Sequence, residues 1–583
     1  MNSKSNELHD QLKLRLLATT IEARTGYKWI PTLTRYGTGS IVLVFDVQEF
    51  PPYVACKIIL EPFERSRLRY FLREVMRSLK AQGHPLIVRV SMVTVIAVPP
   101  IITPRPVIFM QYCEKNLREY IIEKGKLKVD EALALAVQIV RGLLYLKQRG
   151  FVAHQDLKPE NILLQNICQW FGREEMPQEL CYRPKIADFG LVNAWLEAGI
   201  PGGSNPYRAP EQFACHVSKK RAEELCRAGL FNPDVFALGV ILTEMLTGKH
   251  PSDIPSSDVM KEEIARNSSF WHDWSINGVR IVEVENEELK QLILGMLDPN
   301  PQFRPSLERV YNELLKMLRN VNPKLYEQVE NLIRYYDEIA QSYEEFLGDV
   351  NTWRKVLNLA ELPEAKEVID DYVQYLKQRL QEFELPKRVE DVHKYARIWR
   401  TIGETLALID LNRYKDEIRR IGLEVLNTVV QWLGKIKPEH TLLKIKMTDD
   451  EARAMVLWEP LDILKKVMSE EELGKLVFSE YNDYVKALYL YIKASDYHNK
   501  ASYDKAIELL SEALKYSPNN KTLKFFRALW KYHLAETLST NMCILLEEAV
   551  KEFEEVIMLA PTWEEPSERL KNAKDMHNKL CTH

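Results

Sequence analysis

No long uninterrupted apolar run occurs anywhere in the 583 residues. The longest candidate, Ile87 to Ile102, is broken by Arg89, Ser91 and a Pro99-Pro100 pair. It reads as two short buried strands joined by a turn, so no membrane span is expected. Met1 to Asp10 is polar and lacks the apolar core of a secretory signal, which predicts a cytoplasmic location. Neither sign of charge is in excess: 79 Lys and Arg against 83 Asp and Glu leave a net charge of -4. That balance gives no electrostatic reason to expect nucleic acid or a membrane surface as a partner. The eight cysteines show no Cys-x-x-Cys spacing, which argues against a zinc ribbon or a thioredoxin-like centre. Buried reduced thiols are the expectation. Cys168 and Cys181 flank what reads as an inserted loop, and a disulfide there requires a source that tolerates such bonds inside the cell.

With 46% hydrophobic residues the chain can fill more than one core, and at roughly 150 residues per domain it divides into several units. Leu12, Leu14, Leu16 and Leu17 lie on a short N-terminal helix within residues 1–24. From Tyr27 to Ile108 the texture is strand-rich: Leu33 to Val47, Val54 to Leu60, Val88 to Ala97 and Val107 to Met110 are β-branched and short, with one helix at Arg67 to Ala81. From Leu117 helices take over, the clearest being Glu131 to Arg149, ended by Gly150. After Arg304-Pro305-Ser306 strand signals almost vanish, and Lys324 to Met576 is a succession of amphipathic helical patterns. Near the end Ala506, Leu510, Ala513 and Pro518 share their spacing with Ala549, Phe553, Val556 and Pro561, the pattern of the second helix of a tetratricopeptide unit. Ala494 and Tyr497 fall where the first helix packs. The two prolines lie 43 residues apart, against about 34 in a regular array, so extra residues are expected around Ser539 to Met542.

The chemistry concentrates in two strings, His154-Gln155-Asp156-Leu157-Lys158-Pro159-Glu160-Asn161 and Asp188-Phe189-Gly190. Asp156 can orient a hydroxyl and accept its proton, and Lys158 can neutralise charge on a moving phosphoryl group. Asn161 offers a neutral oxygen and Asp188 a charged one, a donor set that suits magnesium, with manganese as a substitute. Upstream, Gly37-Thr38-Gly39 reads as a turn whose backbone can approach phosphates. Val54-Ala55-Cys56-Lys57 follows in the next strand, and a lysine buried in a strand needs a partner, for which Glu74 is placed on the following helix. Val107 to Cys113 is an apolar strand running into a polar linker. Backbone groups of Gln111 and Cys113 would hold a nucleobase, Met110 would close the rear, and Val44, Ala55 and Leu163 would sandwich the ring.

Together these residues resemble the eukaryotic-type (Hanks-type) serine/threonine protein kinases, from about Tyr27 to Asn320. Ala209-Pro210-Glu211, Asp234 to Gly239 and Arg304 extend the match. The resemblance implies an α+β bilobal protein-kinase fold, a small β-rich lobe and a larger helical one, followed by an all-α helical-repeat domain. It implies that Glu211 pairs with Arg304, and that His154, Phe189 and Asp234 belong to one regulatory spine. Lys158 and Ser204 match the serine/threonine-specific pattern. A kinase domain with helical repeats is similar to archaeal members. The expected organisation is a helical extension over 1–24, the kinase domain over 25–320, an α-helical region over 321–480 and tetratricopeptide-like repeats over 481–583. The expected activity is transfer of the ATP γ-phosphate to protein hydroxyls, with the helical tail holding a peptide or protein partner.

Four departures qualify the match. Gln155 stands where the family has an arginine that receives an activation-segment phosphate, and glutamine cannot play that part. Leu191 to Gly203 contains no Ser, Thr or Tyr. The two agree, and they predict activity without phosphorylation over 190–203. Asn161 and Asp188 are also 27 residues apart, about twice the family's spacing, with an insertion from Gln165 to Arg183 that reads as a surface loop. Val42 replaces a third glycine and is expected to stiffen the phosphate turn. Two other readings stand beside the kinase: a catalytically weak nucleotide-binding scaffold acting through its repeats, and a small-molecule kinase, which Ala209-Pro210-Glu211 and the long activation segment oppose.

Overall fold

The structure is a computed structural model that describes residues 2–581 except 38–39, 49–51, 60–64, 99–100, 172–176, 193, 195–201, 214–217, 229, 346–347, 361, 383, 443–446 and 538–540. The chain divides into two compact units, Met1–Val373 and Gln374–His583.

The first unit begins with helix α1 (Asn2–Thr25) and a six-stranded sheet built from β1 (Lys28–Trp29), β2 (Arg35–Gly37), β3 (Ser40–Asp46), β4 (Tyr53–Ile59), β5 (Val90–Val98) and β6 (Ile101–Gln111). The order is β1-β3-β4-β6-β5, with β2 paired to β3, and β5 forms an edge. Strand periodicity assigns the two faces. Ile41, Leu43, Phe45, Cys56 and Ile58 point one way and pack with Leu17, Ala18 and Ile21 of α1. The alternate residues, Val42, Val44, Ala55 and Lys57, point the other way and line a cavity. β6 starts earlier than the sequence texture indicates. Its first half pairs only with β5, whereas pairing with β4 begins at Val107, so Pro104 and Pro106 remove no hydrogen bond from a strand paired on both sides. Helix α2 (Arg65–Ala81) separates β4 from β5.

The larger lobe is helical around a small sheet of β7 (Lys115–Asn116), β8 (Ile162–Asn166) and β9 (Tyr182–Ile186). Asn116 caps α3 (Leu117–Lys124) in a reciprocal capping box with Glu119. Helix α4 (Val129–Gln148) and the helix Pro233–Thr247 are buried over most of their length. Gly150 and Gly248, at φ +82° and +74°, turn the chain out of these two helices. The insertion leaves and re-enters between paired residues Gln165 and Arg183. Its neck is closed by a Cys168–Cys181 disulfide, with a Cα–Cα distance of 4.9 Å. The unit's core does not stop at Asn320: Leu325, Val329, Ile333 and Ala340 of the helix Pro323–Glu345 belong to it.

The second unit is helical. Val392–Trp432 leaves helical geometry at Asp410 and packs on Asp449–Lys465. Arg400 joins the pair through Glu459 and Asp462, each at 3.0 Å. Then follow the helix pairs Asp483–Asn499 with Tyr503–Tyr516 and Lys521–Thr537 with Met542–Leu559, and a last helix, Glu565–Cys581. Ala506, Leu510, Ala513, Ala549, Phe553 and Val556 are all fully buried, so the repeated spacing marks the contact face of each second helix. Ser539 and Thr540 lie outside the described residues. The helix Met542–Leu559 has 18 residues where Tyr503–Tyr516 has 14, so part of the extra length extends the helix itself. A second disulfide joins Cys543 to Cys581, 5.6 Å apart at Cα. Four of the described cysteines are therefore bonded, which corrects the expectation of reduced thiols throughout: folding joins Cys168 to Cys181 across the neck of the insertion and brings Cys543 to Cys581 from separate helices. Cys56 and Cys113 are buried and free. Among the described residues no helix is long and apolar enough to cross a membrane.

Candidate active site

A cavity of about 720 Å³ lies beneath the pocket face of the six-stranded sheet. Strand register builds its roof: Val44, Ala55 and Met110 are directly opposite one another, and Val42 and Lys57 form the next rung. Gln111, Cys113 and Leu163 also line it, as do Glu74, Asp156, Lys158, Asn161 and Asp188. Gly37 pairs with Ser40 at the end of the β2–β3 hairpin, while Thr38 and Gly39 lie outside the described residues. Val42 sits within β3, paired with Arg35 and Lys57, and not in the turn. The expected stiffening of the turn is corrected accordingly, because a β-branched residue suits a strand.

Glu74 of α2 accepts a hydrogen bond from Lys57 Nζ at 2.5 Å, and Asp188 lies 3.9 Å from the same nitrogen. Burial alone would lower the Lys57 pKa, but Asp188 and Glu74 outweigh it and hold the ammonium above its ordinary value. Lys57 in turn keeps the Asp188 carboxyl below the usual carboxylate range against the effect of burial, with Lys158 and His154 adding to it.

The string His154 to Asn161 is fixed from below. Buried Asp234, near the start of the helix Pro233–Thr247, accepts the backbone N–H groups of His154 at 2.7 Å and Gln155 at 3.0 Å. The His154 ring lies 3.0 Å from the Ala187 carbonyl through Nε2 and meets Phe189 edge-on at 5.7 Å. Gln155 and Asp188 both have positive φ, 67° and 63°, a conformation that non-glycine residues hold only when their surroundings impose it. Asp156 Oδ1 accepts the Ser204 N–H at 2.7 Å, and Oδ2 accepts Lys158 Nζ at 3.0 Å. Lys158 also donates to Ser204 Oγ at 2.7 Å. Asn161 Nδ2 donates to the Asp156 carbonyl at 2.8 Å, which leaves its oxygen for another partner. Arg304, with no side-chain exposure, holds Glu211 by two bonds of 2.7 and 2.9 Å.

Sequence reasoning missed Tyr70 and Arg77. Tyr70 lines the cavity one helical turn before Glu74, and burial, then Asp188, Glu74 and Asp156, push its hydroxyl up to about 12. Arg77 donates to the Gly190 carbonyl and so ties α2 to the Asp188 loop. Their spacing from Glu74, four residues before and three after, was the available signal.

A β-rich lobe above a helical lobe, with a nucleotide-sized cavity between them, is the bilobal protein-kinase fold. Residues 32–315 match the family model of the protein kinase domain. The chain is similar to SNF1-related protein kinase catalytic subunit alpha KIN12 of Arabidopsis thaliana, 31% identical over 36% of this chain and 38% of that protein. It is also similar to serine/threonine protein kinase OSK3 of Oryza sativa subsp. indica, 35% identical over 29% and 28% of the two chains. Sperm motility kinase 2B of Mus musculus is 30% identical over 35% of this chain and 36% of its own length. The matches therefore span between about a quarter and two fifths of these relatives.

Proposed function

We propose that the protein is an ATP-dependent serine/threonine protein kinase. The convergence of Lys57, Asp156, Lys158, Asn161 and Asp188 on one cavity carries the reading. The adenine fits between Val44 and Ala55 above and Leu163 below, with the Gln111 to Cys113 linker along its edge. Lys57, held by Glu74, reaches the α- and β-phosphates. Asp156, anchored through Oδ1 on Ser204, accepts the proton of a substrate hydroxyl through Oδ2, and Lys158 stays beside it to balance charge on the transferred group. The free oxygen of Asn161 and the carboxylate of Asp188 fit a hard divalent cation, magnesium or manganese, that keeps several waters. Asn161 and Asp188 would hold such a cation, which would supply charge neutralisation for the phosphates.

Activation requires no phosphate over 190–203, since Leu191 to Gly203 has no acceptor hydroxyl and Gln155 stands where the family has its receiving arginine. The paired helices of 481–583 read as tetratricopeptide-like and serve to hold a protein or peptide partner. The test is transfer of labelled γ-phosphate from ATP to a generic protein by the full chain, with and without magnesium, beside the full-length Asp188→Ala variant. Phosphoserine and phosphothreonine that vanish in the variant and without metal are expected. Equal labelling by wild type and variant, or none by either, defeats the reading.

A further inference from the structure

The segment after the kinase-matched residues returns to the small lobe. Helix Pro323–Glu345 places Asp337 against both lobes: its carboxylate meets Arg141 of α4 at 2.7 Å and the buried ring of His84, just after α2, at 3.0 Å. Gly83, at φ +123°, leaves room for the Tyr343 ring, where an added Cβ would lie 2.7 Å from Tyr343 Cδ1. Next, the helix Gly348–Trp353 and the turn Pro363–Ala365 pack directly on α2. Between them, Arg354–Leu359 runs along β5. Lys355 Nζ donates to the Val90 carbonyl at 2.5 Å and Asn358 Nδ2 to the Val93 carbonyl at 3.0 Å. An open sheet edge offers such carbonyls to water or to another chain. Here they are occupied by side chains 265 residues away in sequence. Trp353, Val356, Leu359, Leu362 and Ala365 are buried in doing this.

We infer that residues 323–373 are a built-in clamp that positions α2, and that Lys355 and Asn358 are positioning residues for the Lys57–Glu74 pair. The inference rests on the kinase reading above. A kinase site works only when its strand lysine and helix glutamate are paired, and the position of that helix is what activation usually controls. In this chain the Leu191 to Gly203 stretch offers no hydroxyl for that purpose. The clamp instead packs on α2 through Gly348–Trp353 and Pro363–Ala365, while Glu74 and Arg77 of α2 engage Lys57 and Gly190. Helix α2 is thus held by contacts that need no phosphate.

The test uses the full chain carrying Lys355→Ala and Asn358→Ala together. Amide hydrogen exchange over α2 is expected to quicken about tenfold or more, with α4 and Pro233–Thr247 unchanged. The turnover number is expected to fall on the order of 10- to 100-fold, as displacement of a catalytic pair by about an ångström does. Added to Glu74→Gln, the same two substitutions are expected to cost nothing further, because residues that act through one pair are non-additive. Lys355→Arg, which keeps the donor, restores turnover in the Asn358 wild-type background. Unchanged α2 exchange, or a loss that multiplies onto that of Glu74→Gln, overturns the clamp. If the wild-type chain transfers no phosphate, the kinase reading fails by itself and the exchange experiment alone decides the clamp. Asn358→Ala alone, which removes one neutral hydrogen bond, replaces the double variant if that does not fold.

Discussion

Asp156→Asn is a harsher substitution here than its size indicates. The carboxylate accepts on both oxygens: Oδ1 from the Ser204 N–H at 2.7 Å, Oδ2 from Lys158 Nζ at 3.0 Å and from Asn161 Nδ2 at 3.3 Å. An amide has one accepting end. If its oxygen keeps Lys158 and Asn161, its NH₂ group faces the Ser204 N–H, and two donors oppose each other. An unsatisfied buried donor costs about 1–3 kcal/mol, and loss of the general base costs about 10²- to 10⁴-fold in rate. The two penalties share one residue and do not simply add. A fall in kcat of about 10³-fold or more is therefore expected, with the KM for ATP moved less than about threefold, since an interaction made only in the transition state is lost from kcat. The assay is steady-state transfer of labelled phosphate at varied ATP, with ATP–magnesium affinity measured separately by calorimetry. A kcat within tenfold of wild type, or a KM for ATP that rises in parallel, would refute the role assigned to Asp156.

Arg304→Ala removes a side chain with no exposure that binds Glu211 twice, so the first unit should lose about 3–5 kcal/mol, read as a lower melting temperature of the full chain. Arg304→Lys, unable to make the paired contact, should recover only part of it. His250 is buried against Trp271 and Trp274, and burial lowers its pKa from 6.5 to about 3. Between those values the unfolded chain binds the proton that the folded chain refuses, so stability is full above pH 6.5 and falls as the pH drops toward 3. From pH 6.5 to 5 that contribution amounts to about 2 kcal/mol in urea unfolding, and His250→Gln should flatten it. Phosphatase treatment of the purified chain should leave its transfer rate unchanged, and mass spectrometry should find no phosphate between Gly190 and Gly203 in active enzyme. Loss of activity with a required phosphate mapped there would refute the second expectation.

What the sequence revealed and what it hid divide along sequence distance. Alternation in Ile41 to Phe45 and Val54 to Ile58 separates core from cavity before any coordinates, because a strand's side-chain period is fixed. Glu74 was legible as the partner of Lys57 because a buried strand lysine needs one and the next helix offers it. The clamp was not legible. Lys355 and Asn358 lie in an ordinary amphipathic stretch, and only the fold brings them to Val90 and Val93. The Cys543–Cys581 bond was hidden for the same reason, its partners being 38 residues apart on different helices. Val42 was misread in a local way: counting from glycine spacing placed it in the turn, whereas the pairing of Gly37 with Ser40 ends the turn two residues earlier.

The strain in the site bears on how the protein is switched. Gln155 and Asp188 hold left-handed backbone conformations, each costing on the order of 1–3 kcal/mol; the first precedes the cavity-lining Asp156 and the second lines the cavity itself. Such positions persist only where neighbours leave no alternative. For Gln155 those neighbours are the Asp234 carboxylate on its N–H and the Gln212 amide on its carbonyl. For the Asp188 loop they are Lys57 on the carboxylate and Arg77 on the Gly190 carbonyl. Each of these groups is a permanent side chain, three of them on a helix or strand and Gln212 on the short turn Pro210–Phe213. A phosphate that came and went would be redundant for holding this frame, and Gln155 in place of an arginine would carry no penalty. On this argument the variable element is α2 itself, because Glu74 and Arg77 are the contacts through which its position reaches the surroundings of Asp188. Whatever loosens residues 323–373 from α2 should therefore lower activity without touching the cavity.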